Sequence, residues 1–173
     1  MANPKFGKLI RRINLYPPFL GMGIRVKSHR QDFTRFEVEL KARWYNRNLF
    51  GTHFGGALYS MCDPFYVFIV TMNLGPDYIV WDKTAAIEFL KPARGDILAV
   101  FEIDKDRLES IRVEVDRLGK NTYHFETELL DQSGLVVARV KKEVYVRSKA
   151  AVRETTPQDQ DSLPSSVSRH SIS

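Results

Sequence analysis

The stretch FGGALYSMCDPFYVFIVTMNL, residues 54–74, decides the fold. Its length and apolar character come close to those of a membrane-spanning helix. However, Asp63 and Pro64 stand at its centre, and a charge in the middle of a bilayer is costly. A helix that is apolar on nearly all sides is also what a globular domain places in its interior. The stretch is therefore predicted to form one long buried helix that does not span a membrane.

The residues on both sides of this helix alternate between apolar and polar side chains, as β-strands with one solvated face do. The clearest case is residues 34–44, where apolar side chains at even positions alternate with charged ones. A shorter strand is predicted at 24–28. Further strands are predicted after the helix, at residues 78–90, 97–103, 123–129 and 136–146. An α+β fold, with an antiparallel sheet wrapped around one long central helix, satisfies both periodicities.

Two further helices are predicted outside the central one. Apolar residues recur at helical spacing over residues 108–118, Gly119 follows as a C-cap, and residues 106–109 resemble a capping box. This pattern favours a short inserted helix, with a strand through 111–115 as the alternative. Apolar residues also recur at helical spacing over 6–13, with basic residues on the other side.

The chain is predicted to have three parts. The first is an amphipathic N-terminal helix or flap over residues 1–20, packed on the domain, with attachment to a membrane surface as the alternative. The second is the folded domain, residues 21–147. Residues 148–173 lose apolar periodicity and are predicted to be a disordered C-terminal tail.

The composition describes one ordinary globular domain: 173 residues, of which 43% are hydrophobic and 27% charged. The net charge of +5 permits contact with nucleic acid, an anionic membrane or a phosphorylated small molecule. Opposite charges alternate instead of forming runs, and zinc-finger and RNA-binding signatures are absent from the sequence. We therefore expect no nucleic-acid partner.

Cysteine and histidine usage limits the remaining chemistry. The single cysteine, Cys62, excludes an internal disulfide and suits a reducing compartment, so we expect a cytoplasmic location. Buried packing explains Cys62 better than a nucleophilic role, because no base adjoins it in the sequence. The four histidines have no ligand spacing, so no metal site is expected.

Two segments carry a resemblance to a known protein family. Residues 48–63 contain an Asn, then a Gly, then a Gly-Gly pair and, after variable residues, a carboxylate; these are Asn48, Gly51, Gly55, Gly56 and Asp63. The second segment is IEFLKPARGD, residues 87–96. With the strand order, these segments resemble the hotdog-fold acyl-CoA thioesterases of the phenylacetyl-CoA thioesterase-like kind, over residues 33–147.

The match departs from the family pattern at one position. The family histidine adjoins the glycine pair, whereas here His53 lies one residue earlier and Phe54 takes that place. In the position of this histidine the chain is similar to an uncharacterised hotdog subfamily with His-Phe-Gly-Gly. The resemblance implies a hotdog fold and assembly as a homodimer or a dimer of dimers (a tetramer).

Thioester hydrolysis needs hydrogen-bond donors where the carbonyl oxygen gains negative charge, and a carboxylate that attacks or activates water. Gly55 and Gly56 open the predicted helix, so their free N–H groups are candidates for the oxyanion hole. Asp63, in an apolar run, is the candidate nucleophile or general base. Gly56 and Asp63 lie seven positions apart, about 10 Å along a helix, so a two-fold dimer is needed to bring Asp63 near the glycines of its partner.

Each candidate also has a structural interpretation. Asp63 can cap a helix that restarts at a kink beside Pro64, and the glycines can serve close helix packing. His53 is a further catalytic candidate, or a residue that caps the helix. Lys91 and Arg94 are candidates to bind coenzyme A phosphates, or are ordinary solvated turn residues. The other candidate substrate-binding residues are Asn48, Phe54, Phe65 and Tyr66, the last two as walls of an acyl pocket.

The first functional hypothesis is an acyl-CoA thioesterase that uses water and no cofactor. Its substrate is a fatty or aromatic acyl thioester of coenzyme A or of acyl carrier protein. The alternative is a hotdog protein that binds acyl-CoA, or acts as a scaffold, without turnover. Hydratase chemistry is disfavoured, because no histidine follows Asp63 until His124.

Overall fold

A single six-stranded antiparallel sheet is the main element of the computed structural model, which describes residues 12–150. The strands are β1 (Ile24–His29), β2 (Arg35–Leu40), β3 (Tyr78–Phe89), β4 (Ile97–Glu102), β5 (Lys120–Leu130) and β6 (Val136–Ser148). The α-helices are α1 (Pro17–Met22), α2 (Gly55–Ser60), α3 (Phe65–Leu74) and α4 (Lys105–Leu118). Two 3₁₀ turns lie at Ile13–Leu15 and Trp44–Asn46.

The strands follow the order β1-β2-β4-β5-β6-β3, and every neighbouring pair is antiparallel. On β2 the apolar side chains Phe36, Val38 and Leu40 are buried, and the charged residues between them are half-buried. This confirms the period-two prediction. β3 forms one edge of the sheet and pairs with β6 along its length. Its other edge has no partner strand within residues 12–150.

The predicted central helix consists of two segments, because α2 ends at Ser60 and α3 begins at Phe65. Pro64 has no amide hydrogen for a helical bond, and its ring disfavours helical backbone at Asp63. The long helix predicted over residues 54–74 is therefore present but interrupted at this point, and the kink considered beside Pro64 is a full break.

The core lies between α3 and the sheet. Phe65 is fully buried, and its ring centroid lies 4.9 Å from that of Phe101 and 5.6 Å from that of Phe36. Tyr66 is buried against Phe125, with 4.9 Å between ring centroids, and its hydroxyl donates to the backbone carbonyl of Glu126. Phe65 and Tyr66 were predicted to line an acyl pocket, but in this chain both are core residues.

The inserted helix α4 covers the far end of α3. Arg112 of α4 donates to the carbonyl oxygens of Asn73 and Leu74, which have no helical partner at the end of α3. Gly119 is the C-cap of α4, as predicted. The predicted capping box at 106–109 was wrong, because the N-cap is Asp104, whose side chain accepts from the N–H of Arg107 at 2.7 Å.

Two other boundaries differ from the predictions. The strand predicted over 34–44 ends at Leu40, and Trp44 lies in a 3₁₀ turn with 88% of its surface exposed. Pro17 was predicted to end the helical pattern of residues 6–13, but it is also the first residue of α1, a position at which its missing N–H has no cost. The helical pattern of residues 6–13 and the predicted tail lie almost entirely outside the described residues.

The hairpin of β5 and β6 forms as predicted, joined by a turn at 131–135. The strand sequence, the antiparallel sheet and the helical segment packed on one face together form a hotdog fold. The fold class predicted from the sequence is thereby confirmed.

Replacing Phe65 with alanine tests its assignment to the core. We expect Phe65→Ala to lower the free energy of unfolding by about 3–5 kcal/mol, because the variant leaves a cavity among buried rings. Trp44→Ala, which removes an exposed ring, is the control and should change the free energy of unfolding by less than about 0.5 kcal/mol. Denaturant unfolding measures both. Equal effects of the two substitutions would contradict the assignment.

Candidate active site

The segment before α2 and the turn after β3 form two walls of an open groove of about 530 Å³. One wall contains Asn48, His53 and Gly55, and the other contains Lys91 and Arg94. These five residues were all predicted as site residues, from two segments about 40 positions apart in the chain. The groove thus brings together both segments that carry the sequence resemblance.

His53 joins the two walls. Only 4% of its surface is exposed; its backbone N–H donates to Ala93 O, and its Nε2 lies 2.6 Å from Gly95 O. A carbonyl oxygen can only accept, so Nε2 carries a hydrogen, and in the neutral imidazole Nδ1 is then an acceptor. Nδ1 is buried and has no hydrogen-bond partner within residues 12–150. His53 is therefore a brace between the walls with one unused acceptor, and it does not cap α2, whose N-cap is Phe54.

Two asparagines order the loop that leads to His53. The Asn48 side chain donates to Thr52 Oγ1 and accepts from the N–H of Phe50, so its amide is engaged within the loop. Sequence reasoning missed Asn46, which is buried. Its side-chain amide donates to the backbone carbonyls of Met22 and Lys41, and its backbone carbonyl accepts a hydrogen bond from the N–H of Phe54. Asn46 thereby fixes the start of α2 against the beginning of β1.

Gly55 and Gly56 begin α2, and neither N–H has an acceptor among the described residues. A Cβ on Gly55 would lie 3.0 Å from the ring of Phe89, so a side chain there would press into the groove. A Cβ on Gly56 would overlap the ring of Phe54, which is half exposed. The absence of side chains thus leaves the Gly55 backbone accessible from the groove.

Lys91 and Arg94 are exposed at the rim of the groove. Neither has a carboxylate within salt-bridge distance in the described part of the chain. Two cations without a salt-bridge partner on one rim make an attractive site for an anionic ligand.

Asp63 lies in the break between α2 and α3 and is exposed. The sequence predicted it in apolar surroundings, and this was wrong for the single chain, because the break turns its side chain out of the core. Asp63 lines a separate groove of about 460 Å³ with Phe19 and Tyr59. Within one chain, Gly55 and Asp63 therefore line different grooves.

Cys62 and Lys142 lie on the inner side of the same region. Cys62 is fully buried, and burial raises the pKa of its thiol to about 12, which makes it a poor nucleophile. This confirms buried packing for Cys62. Lys142 of β6 is also buried, and its Nζ lies 2.6 Å from Asp82 Oδ2 of β3. Sequence reasoning missed this ion pair, although a lysine at an inward-facing position of a strand is a readable signal.

Across residues 12–150, no helix combines the length and apolarity that a membrane crossing requires. In the same residues, no three or more His, Cys, Asp or Glu side chains are grouped so that they could hold a metal ion.

Comparison with known proteins gives the family. Residues 8–146 match the family described as Domain of unknown function (DUF4442). The chain belongs to this family. No curated protein matches the sequence.

Solved structures share the fold of this DUF4442 domain. A probable thioesterase from Pseudomonas aeruginosa has 20% identity and a TM-score of 0.71, covering 84% of this chain and 96% of that one. A thioesterase from Haemophilus influenzae has 11% identity and a TM-score of 0.60, with coverages of 82% and 90%. The Escherichia coli PaaI protein, from a phenylacetic acid degradation operon, has 14% identity and a TM-score of 0.57, with coverages of 84% and 95%.

The bracing role of His53 in the DUF4442 domain has a direct test. We expect His53→Ala to lower the free energy of unfolding by about 2–3 kcal/mol, because it removes a buried ring and its bond to Gly95 O. His124→Ala is the control, since His124 is exposed on β5 and makes only a long contact with Glu143. The control should change stability by less than about 0.5 kcal/mol. Thermal or denaturant unfolding measures both, and equal effects would contradict the brace.

Proposed function

We propose that this protein hydrolyses acyl thioesters of coenzyme A. The observation that carries the proposal is the groove in which the free N–H of Gly55 lies on the wall opposite two unpaired cations, Lys91 and Arg94. One end of such a groove suits a developing oxyanion, and the other suits phosphates. Descriptions of structural relatives as thioesterases support the same reaction.

The proposed reaction needs only water and residues of the protein. The oxygen of water attacks the thioester carbonyl carbon, and the carboxylate of Asp63 accepts the proton that water loses. The N–H groups of Gly55 and Gly56 donate to the carbonyl oxygen as it gains negative charge. The C–S bond then breaks, the thiolate takes up the proton, and the products are a carboxylic acid and a free thiol. No cofactor takes part.

This chemistry requires a second copy of the chain, because Gly55 and Asp63 of one chain line different grooves. The free edge of β3 is the proposed contact. It is twelve residues long and carries the exposed aromatic side chains Trp81 and Phe89, and such an edge can pair with another strand. In a two-fold dimer, Asp63 of one chain would approach Gly55 of the other. A dimer of dimers is compatible with the same contact.

The substrate class follows from the walls of the groove. Lys91 and Arg94 are proposed to bind the phosphates of coenzyme A. Phe50, Leu58, Phe89 and Leu90 supply apolar lining that suits a fatty or aromatic acyl chain. Phe54, half exposed beside Gly56, is the proposed contact near the thioester. Acyl carrier protein, whose thioester is carried on a phosphorylated arm, is an alternative donor for the same site.

A second candidate function is binding of acyl-CoA without turnover. Asp63 is exposed and lines a different groove from Gly55, and both facts favour this alternative for an isolated chain. Binding alone would need Lys91, Arg94 and the apolar lining, but not Asp63.

Removal of the two rim cations tests the proposed phosphate site. We expect Lys91→Ala with Arg94→Ala to raise KM for an acyl-CoA by about tenfold or more, because charge-assisted hydrogen bonds to phosphate are lost. The same acyl group on N-acetylcysteamine, which has no phosphate, should show a KM change below about twofold. Lys120→Ala, an exposed cation on β5, is the control. Equal changes for both thioesters would contradict a phosphate site.

Replacement of the carboxylate tests catalysis. We expect Asp63→Asn to lower kcat by about a hundredfold or more over a panel of short, aromatic and long-chain acyl-CoAs, measured by release of free thiol. Unchanged turnover would exclude Asp63 but keep the enzyme class. No cleavage by the wild type, with acyl-CoA still raising Tm, would favour the binding function.

Mixing two inactive variants tests whether partners share the site. Asp63→Asn and Gly55→Val, unfolded and refolded together, should recover about a quarter of wild-type activity, because half of the dimers are mixed and each mixed dimer has one intact site of two. Each variant refolded alone is the control. If the mixture stays inactive while all dimers form, both groups act within one chain.

A further inference from the structure

The connection between β2 and α2 carries the most exposed large apolar side chains of the described part of the chain. The exposed fraction is 103% for Leu49, 88% for Trp44 and 85% for Phe50. Tyr45 and Phe54 of the same connection are about half exposed. Single exposed apolar residues are ordinary on a protein surface, whereas a group of them marks an interaction site. We call residues 43–54 the apolar loop.

Hydrogen bonds hold the apolar loop in this conformation. The N–H of Gly51 donates to Asn48 O at 3.1 Å, which closes a turn with Leu49 and Phe50 at its tip. At the start of the loop, the Asn46 side chain donates to the carbonyl of Met22, the last residue of α1. The fold therefore holds these apolar side chains in contact with water instead of packing them on the core.

The apolar loop is also positively charged. Residues 40–62 contain Lys41, Arg43 and Arg47 but no Asp or Glu. Lys41 is paired with Asp96 at 2.9 Å. Arg43 and Arg47 are exposed, and neither has a carboxylate within salt-bridge distance in the described part of the chain. The exposed apolar side chains thus stand beside two unpaired cations.

Neighbouring segments extend this positive charge on both sides of the loop. On one side are the rim cations Lys91 and Arg94, because the backbone N–H of His53 donates to Ala93 O at 2.9 Å. On the other side is α1, and residues 1–31 of the sequence contain no Asp or Glu. An occupant of this surface must therefore offer both apolar material and negative charge.

A lipid surface with anionic headgroups meets both requirements better than a second copy of the chain. Side chains as exposed as Leu49 and Trp44 project from the protein, so a rigid partner would need a pocket for each, whereas lipid surrounds a projecting side chain of any shape. Tryptophan, tyrosine and arginine are also suited to the boundary between lipid and water. In a two-fold contact through this face, the cations of one copy would meet those of the other, which is unfavourable.

We propose that the apolar loop docks this protein on a membrane surface with anionic headgroups. Trp44, Leu49 and Phe50 enter the headgroup layer, and Arg43 and Arg47 contact lipid phosphates. Because Phe50 also lines the groove of Gly55, docking brings the mouth of that groove to the lipid surface. The inference goes beyond the proposed function and does not depend on thioester hydrolysis.

The first test removes two apolar side chains of the loop, with Trp44→Ser and Leu49→Ser in one variant. We expect the full-length wild type to sediment with vesicles of equal parts phosphatidylcholine and phosphatidylglycerol. The variant should bind these vesicles at least about tenfold more weakly, because it has lost apolar surface that enters the lipid. Val113→Ser with Leu118→Ser is the matched control. It removes two exposed apolar side chains from α4 and should bind within about twofold of the wild type.

The second test removes the two loop cations, with Arg43→Ala and Arg47→Ala. We expect binding to the same vesicles to weaken by about tenfold or more, because each arginine near anionic lipid contributes to the attraction. Arg117→Ala with Lys120→Ala is the matched control, since both side chains are exposed and the net charge changes equally. The wild type should also bind vesicles of phosphatidylcholine alone at least about tenfold more weakly.

Molar mass, measured by light scattering without vesicles, separates a lipid surface from a protein partner. The wild type and the Trp44/Leu49 variant should have equal molar masses. A lower mass for the variant would make the loop an interface between copies of the chain and overturn the proposal. A wild type that does not sediment with anionic vesicles, or loop variants that bind them as well as the wild type, would overturn it too.

The docking proposal and the proposed function fail separately. Cleavage of a water-soluble short-chain acyl-CoA, measured without vesicles, should be within about twofold of the wild type in both loop variants. A wild type that sediments with anionic vesicles but cleaves no acyl-CoA overturns the proposed function and supports docking. A wild type that cleaves acyl-CoA but binds no anionic vesicles overturns docking alone.

Discussion

Pro64 has no backbone N–H, and for this reason the most apolar segment of the chain cannot continue as one helix. The break separates α2 from α3 and gives each its own role. α3 packs its aromatic side chains into the core against β2 and β4, whereas α2 adds Ala57 and Leu58 to the core and positions its first residues beside the turn after β3. The break also turns Asp63 toward solvent while Cys62, one residue earlier, stays buried. A single peptide unit therefore separates the exposed candidate carboxylate from the buried core.

Much of the fold is readable from periodicity. Strands with alternating burial, such as β2, and the capped helix α4 follow from local patterns, because the side-chain period of each element sets which face is buried. The limits were set by contacts between distant residues. Beyond the end of β2 at Leu40, the side-chain amide of Asn46 donates to the carbonyl of Lys41 and also to that of Met22, 24 positions away. No local pattern records the bond to Met22.

The candidate site could be predicted only in part, because its contacts also join residues that are distant in the sequence. Asn48, His53, Gly55, Lys91 and Arg94 do meet around one groove, since two motifs with specific spacing identified them. Their contacts were not predictable. The bond from His53 to Gly95 O and the pair of Lys142 with Asp82 each join residues more than 40 positions apart. A lysine in a row of valines signalled that a charge was buried, but not which carboxylate neutralises it.

The free edge of β3 has a further consequence for how copies of the chain can pair. Lys83 and Glu88 are exposed along it with opposite charges, on either side of Ala85 and Ala86. A two-fold axis at either alanine would bring Lys83 of each copy within one strand position of Glu88 of the other. A parallel copy in register would instead oppose like charges, which is unfavourable between neighbouring strands. Electrostatics along this edge thus discriminates against open-ended stacking and in favour of a closed pair.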